Sequence, residues 1–247
     1  MISISHLTKQ YKGVAVVDIP ALKIEKGESF GLVGNNGAGK TTLFRMLLDL
    51  VCPTTGEIVI NGRDVKGNYE WKRYVGSFLD EGFLISYLTP DEYFSFVAEL
   101  HGYGIEDLKI FLSPFEELFN GEIIGKKKYI RDLSKGNLKK VGIVAALIGK
   151  PEVVVLDEPF ENLDPTSQIR LKEIIVKEYK NRNTTFLISS HDLKHVTEIC
   201  NRIVLMEKGK VINDMKGGQQ ALVELEDYFN PMTDKKDSNS MEKVIES

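Results

Sequence analysis

The stretch Gly34-Asn35-Asn36-Gly37-Ala38-Gly39-Lys40-Thr41-Thr42 limits what this chain can fold into more than any other. An apolar run, Phe30-Gly31-Leu32-Val33, precedes it, and Leu43, Met46, Leu47 and Leu50 follow at helical spacing. Strand, glycine-rich turn and helix together are the setting of the phosphate-binding pattern G-x-x-x-x-G-K-[ST]. Glycines let the backbone wrap an anion and aim successive N–H groups at it, and the helix N-terminus adds partial positive charge. Gly34 to Thr42 is therefore read as a triphosphate cradle. Lys40 is expected to reach the β- and γ-phosphates, and the Thr41 hydroxyl to ligate Mg²⁺.

A second apolar run, Val153-Val154-Val155-Leu156, ends in Asp157-Glu158. A carboxylate at the tip of a buried strand suits Mg²⁺, and the next one can act as general base toward water. Asp157 is assigned the metal and Glu158 the base. His191 follows a third run, Thr185 to Ile188, at the sheet end where α/β folds bind ligands, so it is read as a phosphate contact, with Asp192 capping the next helix. Leu133-Ser134-Lys135-Gly136-Asn137 precedes apolar Leu138, Val141, Val144, Ala145 and Ile148, which makes Ser134 a candidate helix cap.

These runs, with Ile203-Val204-Leu205-Met206, look buried on both faces and alternate with helical patterns, which predicts an α/β fold with a mostly parallel sheet. The first thirty residues and the stretch Thr55 to Val65, with its Asn61-Gly62 turn, predict a small antiparallel sheet beside it. From about Glu81 to Gly149 the pattern is mainly helical. Thr89-Pro90-Asp91-Glu92 is a capping-box start, after which Tyr93, Phe96, Val97 and Leu100 share an apolar face. Asn230 to Ser247 is polar and reads as a mobile tail.

Composition excludes several functions. A net charge of −4 gives no overall attraction to nucleic acid, and Lys126-Lys127-Lys128 reads as a solvated face. Two cysteines, Cys52 and Cys200, make no disulfide framework, and Cys200 shares an apolar face with Leu193 and Val196. No run approaches the roughly 20 apolar residues that span a bilayer. The expected location is cytoplasmic, with any membrane role supplied by a partner.

Taken together, the loop, the Leu133–Asn137 segment and the Asp157-Glu158 strand end resemble the nucleotide-binding domains of ABC ATPases. The resemblance covers about residues 1–229. It implies a P-loop NTPase core with a small antiparallel β subdomain and an inserted helical subdomain at about 81–149. It also implies ATP and Mg²⁺ as ligands, with hydrolysis by Glu158, His191 and Lys40. By the same resemblance Tyr11 stacks on adenine and Val16 packs beside the ribose. Asp164 belongs to the D-loop, and Ser134, Lys135, Gly136 and Asn137 form the signature that touches ATP held by an opposite subunit. The partners implied are a second copy or a related subunit sandwiching ATP, and a polytopic membrane protein on a separate chain that seats against Phe83, Leu84 and Tyr87. The family's Q-loop glutamine is replaced here by Asp80-Glu81, with Asp80 a candidate Mg²⁺ ligand. Phe160 stands where threonine or serine is common. The resemblance leans towards export at the cytoplasmic face. A soluble relative acting on ribosomes or DNA is the alternative, disfavoured by the single P-loop and the short separation of Thr41 from Asp157.

Overall fold

A computed structural model describes residues 1–241 of the chain. Strands β1 (Ile2–Tyr11) and β2 (Val14–Ile24) form an antiparallel hairpin, and β4 (Thr55–Ile60) and β5 (Arg63–Asp64) extend it in the order β2-β1-β4-β5. The central sheet contains β3 (Ser29–Val33), β6 (Val75–Phe78), β7 (Val153–Asp157), β8 (Thr185–Ser190), β9 (Arg202–Glu207) and β10 (Lys210–Lys216), in the order β10-β9-β3-β8-β7-β6. All its pairings are parallel except β10 with β9. Every residue of β3, β7 and β8 is buried, which is why these strands read as continuous apolar runs.

Alternate residues of these strands feed two different cores, because successive side chains of a strand point to opposite faces. Val153, Val155, Leu187 and Val204 join a core with Trp71, the antiparallel sheet and α1 (Lys40–Leu47). Val154, Leu156, Phe186 and Ile188 join the other core, which is built on helices. Those helices are α2 (Pro90–Leu100), α3 (Ile105–Leu112), α4 (Glu116–Phe119), α5 (Lys135–Leu147), α6 (Pro165–Arg182), α7 (Leu193–Ile199) and the start of α8 (Gln219–Met241).

The expected capping box opens α2: the Glu92 amide donates to Thr89 Oγ1, and the Thr89 amide donates to Glu92 Oε2 at 2.8 Å. The buried face of α2 differs from the expected one. Pro90, Phe94 and Ala98 face inward, Tyr93 and Val97 are half-buried, and Phe96 and Leu100 are exposed. Phe94 meets Phe119 at a ring separation of 5.8 Å, and this partner on α4 selects the stripe. At the other end of the chain, α8 continues past Asn230, where the polar tail was placed; residues 242–247 lie outside the described ones. Cys200 is buried just after α7, where loss of solvent pushes its thiol up to about 12, as its core role requires.

Helix α5 rests on β6 through Gly142. A Cβ there would lie 2.1 Å from the Phe78 ring, so the helix can approach the sheet this closely only without a side chain. Gly142→Val should therefore overpack the contact and destabilise the fold by about 1–3 kcal/mol, measurable as a lower urea midpoint at unchanged slope.

Candidate functional site

The phosphate-binding loop joins β3 to α1. Gly39, the residue before α1, has φ +106, and a Cβ on it would stand 2.6 Å from the Val16 carbonyl, so both conformation and space require glycine. The Gly209 amide donates to the Ala38 carbonyl and the Asp18 amide to Gly209, which pins the loop to β2 and to the β9–β10 turn. Lys40 is buried and donates to the Gly34 carbonyl at 2.6 Å. Asn35, Asn36 and Gly37 are exposed at the tip of the loop; Thr42 is half-buried. Val16 is half-buried against the loop, and Tyr11 is exposed at the β1–β2 hairpin with the Lys9 ammonium 5.0 Å from its ring centre.

Asp157 at the tip of β7 accepts from Thr41 Oγ1 at 2.6 Å, which brings the two expected metal ligands together. Its other oxygen accepts from Ser189 Oγ, and Ser189 is its register partner on β8. Burial pushes the Asp157 carboxyl above the ordinary carboxylate range, against the opposing hydrogen bonds from Ser189 and Thr41. A hydroxyl and a carboxylate are hard oxygen donors suited to Mg²⁺.

Glu158 has φ +47, a left-handed conformation that glutamate rarely adopts. Its amide donates to Ser189 Oγ at 3.0 Å, and its carbonyl accepts from Lys139 Nζ at 2.8 Å. Its carboxylate lies between Lys40 Nζ, 3.5 Å from Oε1, and His191 Nδ1, 2.9 Å from Oε2. The His191 amide also donates to Oε2, at 3.2 Å. His191 is thus a partner of Glu158 rather than an isolated ring. Thr41, Asp157, Glu158, Asp80, Glu81 and Lys139 share one cavity of about 340 Å³.

Asp80 lines this cavity and has local partners of its own. Oδ1 accepts from the Gly82 amide at 2.8 Å, and Oδ2 faces Arg45 at 3.6 Å. Asp80 and Asp157 border the same cavity, with Thr41 between the loop and the strand end. The short turn at Glu81–Phe83 uses Asp80 as its cap, and that local bond directs the carboxylate.

Ser134 caps α5, its hydroxyl accepting from the Asn137 amide at 3.2 Å. The Asn137 side chain donates to Glu122 at 2.9 Å. Ser134, Lys135, Gly136 and Asn137 line a concavity of about 750 Å³ with Asn162 and Asp164, and no residue from Gly34 to Thr42 borders it. Asp164 caps α6, and hydrogen bonds from Ser167 hold its carboxyl below the usual range. Phe160 is buried against the His195 ring at 4.7 Å and does not line the cavity. Sequence reasoning passed over Ser189 and Lys139. Ser189 had a signal, a hydroxyl that directly follows the apolar run Thr185–Ile188 two residues before His191; Lys139 had only its place five residues beyond Ser134.

Residues 17–161 match the family model described as ABC transporter. The chain is 37% identical over 212 residues to the uncharacterized ABC transporter ATP-binding protein YhaQ of Bacillus subtilis, covering 86% of this chain and 70% of that one. It is 33% identical to the ABC transporter ATP-binding protein NatA of the same organism, covering 92% and 93% of the two chains. Its fold is similar to the dimeric post-hydrolysis state of the ATP-binding cassette MJ0796 bound to ADP and Pi, with a TM-score of 0.78 at 23% identity, covering 87% of this chain and 98% of that one. With the loop, both strand-end acids and the helix-capping serine in place, the chain belongs to the ABC transporter family, as one of its ATP-binding proteins.

Proposed function

We propose that the chain is the ATP-hydrolysing subunit of an ABC transporter, in which each ATP is held between two such subunits. The observation that carries the reading is the 2.6 Å bond from Thr41 to Asp157, which joins the phosphate loop to the acidic strand end with Glu158 beside it. Lys40, now bonded to the Gly34 carbonyl, would exchange that partner for phosphate oxygens. Thr41 and Asp157 are the residues to hold Mg²⁺, which would offset charge on the β- and γ-phosphates. Glu158 accepts the proton of the attacking water, and His191 holds its carboxylate through both ring and backbone nitrogen.

Completion of the site by a second subunit is supported by the concavity around Ser134 to Asn137 and Asp164, which is lined with hydrogen-bonding groups, contains none of the phosphate loop and meets the Thr41–Asp157 cavity only at Lys135 and Asn162. That second subunit is another copy or a related chain. A membrane partner is supported by a groove of about 360 Å³ lined by Leu50, Phe83, Leu84, Tyr93 and Val97, with Phe83 and the nearby Tyr87 exposed. Among the described residues no helix is long and apolar enough to cross a membrane, so the spans would come from that polytopic partner. The subunit would sit at the cytoplasmic face. Export is the direction we favour, on the compact helical subdomain at about 81–149.

Glu158→Gln should keep ATP binding, lower turnover by about 10²–10⁴-fold and leave an ATP-bound dimer detectable by size-exclusion chromatography. Parental turnover in this variant would remove Glu158 as the base. Gentle detergent extraction should recover a polytopic membrane protein with the chain, in lower yield for Phe83→Asp; stoichiometric ribosomes in its place would replace the transport reading.

The buried Asp157 predicts a stability effect of definite sign. A carboxyl whose pKa rises on folding costs the folded state nothing below its unfolded pKa and its full penalty above its folded one. Asp157→Asn should therefore raise the melting temperature of nucleotide-free protein at pH 8, and the gain should shrink as pH falls towards about 4. The same variant should lose Mg²⁺-dependent nucleotide binding.

A further inference from the structure

Lys139 has no part in the mechanism above, yet it is only 4% exposed and lines the same cavity as Thr41, Asp157 and Glu158. A buried ammonium is costly unless it is paired and hydrogen-bonded. Loss of solvent lowers the Lys139 pKa, opposed by the charges of Glu161, Glu81, Glu158 and Asp157. Glu161 stands 3.8 Å from its nitrogen, beyond a direct hydrogen bond. The hydrogen bond it does make, 2.8 Å long, goes to a neutral group, the Glu158 carbonyl.

That carbonyl belongs to a residue in the left-handed region, where a side chain bearing a Cβ is strained and the surroundings must hold it. Ser189 Oγ receives the Glu158 amide on one side, and Lys139 grips the Glu158 carbonyl on the other. The residue is clamped at both ends of its own backbone, which aims its carboxylate at Lys40 and His191. Lys139 and Ser189 differ in origin. Ser189 lies on the central sheet, whereas Lys139 lies on α5, whose capping residue is Ser134 and whose first turn carries Lys135, Gly136 and Asn137.

We propose that Lys139 is a positioning residue that couples the Ser134–Asn137 end of α5 to the orientation of Glu158, so that seating a partner-bound nucleotide on that helix end sets the base. This inference rests on the reading of Glu158 as the base. A shift of α5 along its axis would carry the ammonium with it and alter the Glu158 backbone, with no need for Lys139 to touch ATP.

Steady-state ATPase assays on the full chain test this with Lys139→Met, which keeps the length and volume but loses the donor, and Lys139→Gln, which keeps an N–H donor on a shorter stem. Lys139→Met should lower kcat about 10- to 100-fold, as expected for a misplaced catalytic group, with KM for MgATP unchanged within about twofold. Lys139→Gln should recover at least about threefold over Lys139→Met. In a Glu158→Gln background, Lys139→Met should still form the ATP-dependent dimer, because the base whose aim it sets is already gone. Parental kcat in Lys139→Met, a rise in KM as large as the fall in kcat, no recovery with glutamine, or loss of that dimer would each overturn the proposal. Should Lys139→Met fail to fold by circular dichroism, Lys139→Gln decides alone: kcat must fall with KM unmoved. Parental turnover in Glu158→Gln would instead remove the base itself, an outcome distinct from any of these.

Discussion

The hydrogen bond from Thr41 to Asp157 is the constraint on which the rest of the site depends. It joins the first turn of α1 to the tip of β7, although the chain reaches these points more than a hundred residues apart and β8 lies between β3 and β7. The parallel register makes the closure possible. All these strands end on the same edge, so the loop after β3, the acid on β7, and Ser189 and His191 at the end of β8 meet in a single row. Ligands bind at the carboxyl edge of such sheets because the helix N-termini and the loop amides collect there.

Charge in the row is closely interleaved. Glu158 adjoins Asp157 in sequence, and two neighbouring carboxylates would repel without cations between them. Lys40 from the phosphate loop and Lys139 from α5 supply the positive charge, both of them buried. One approaches the carboxylate of Glu158 and the other its carbonyl. A triphosphate entering here would compete for the first lysine and leave the second in place. On the proposed reading the two cations would have separable jobs, one electrostatic and exchangeable, the other geometric and fixed. Asp80 adds no unbalanced charge, since Arg45, one turn beyond Thr41 on α1, stands opposite it.

What could be read from the sequence was local, and what could not was relational. The phosphate loop, the strand ends, the caps at Thr89, Ser134 and Asp192, and the antiparallel edge are each specified by a few adjacent residues, and each formed as expected. The buried face of α2 was misassigned because Tyr93, Phe94, Phe96, Val97 and Leu100 allow several stripes of similar apolarity. The selection comes from core residues distant in sequence, such as Phe119. Asp80 was read from the family pattern alone, and its bonds to the Gly82 amide and towards Arg45 depend on a turn and a helix that its own residues do not announce. Lys139 was invisible for the same reason: a lysine early in a helix normally points to water, and the carbonyl that receives it is contributed by another element.

The division of strand residues between two cores has a mechanical consequence. The phosphate loop's helix α1 packs in one core and the helical elements around α5 in the other. Only a single layer of backbone separates them, and close-packed interiors have low compressibility and transmit strain. Displacement of the helical side can therefore reach the nucleotide side by two routes: side chains at the cavity rim, such as Lys139, and the shared strands β7 and β8. Those strands carry Asp157 and Ser189 at their carboxyl ends. The sheet acts as a diaphragm, with its most informative points at the edge where the chemistry is done.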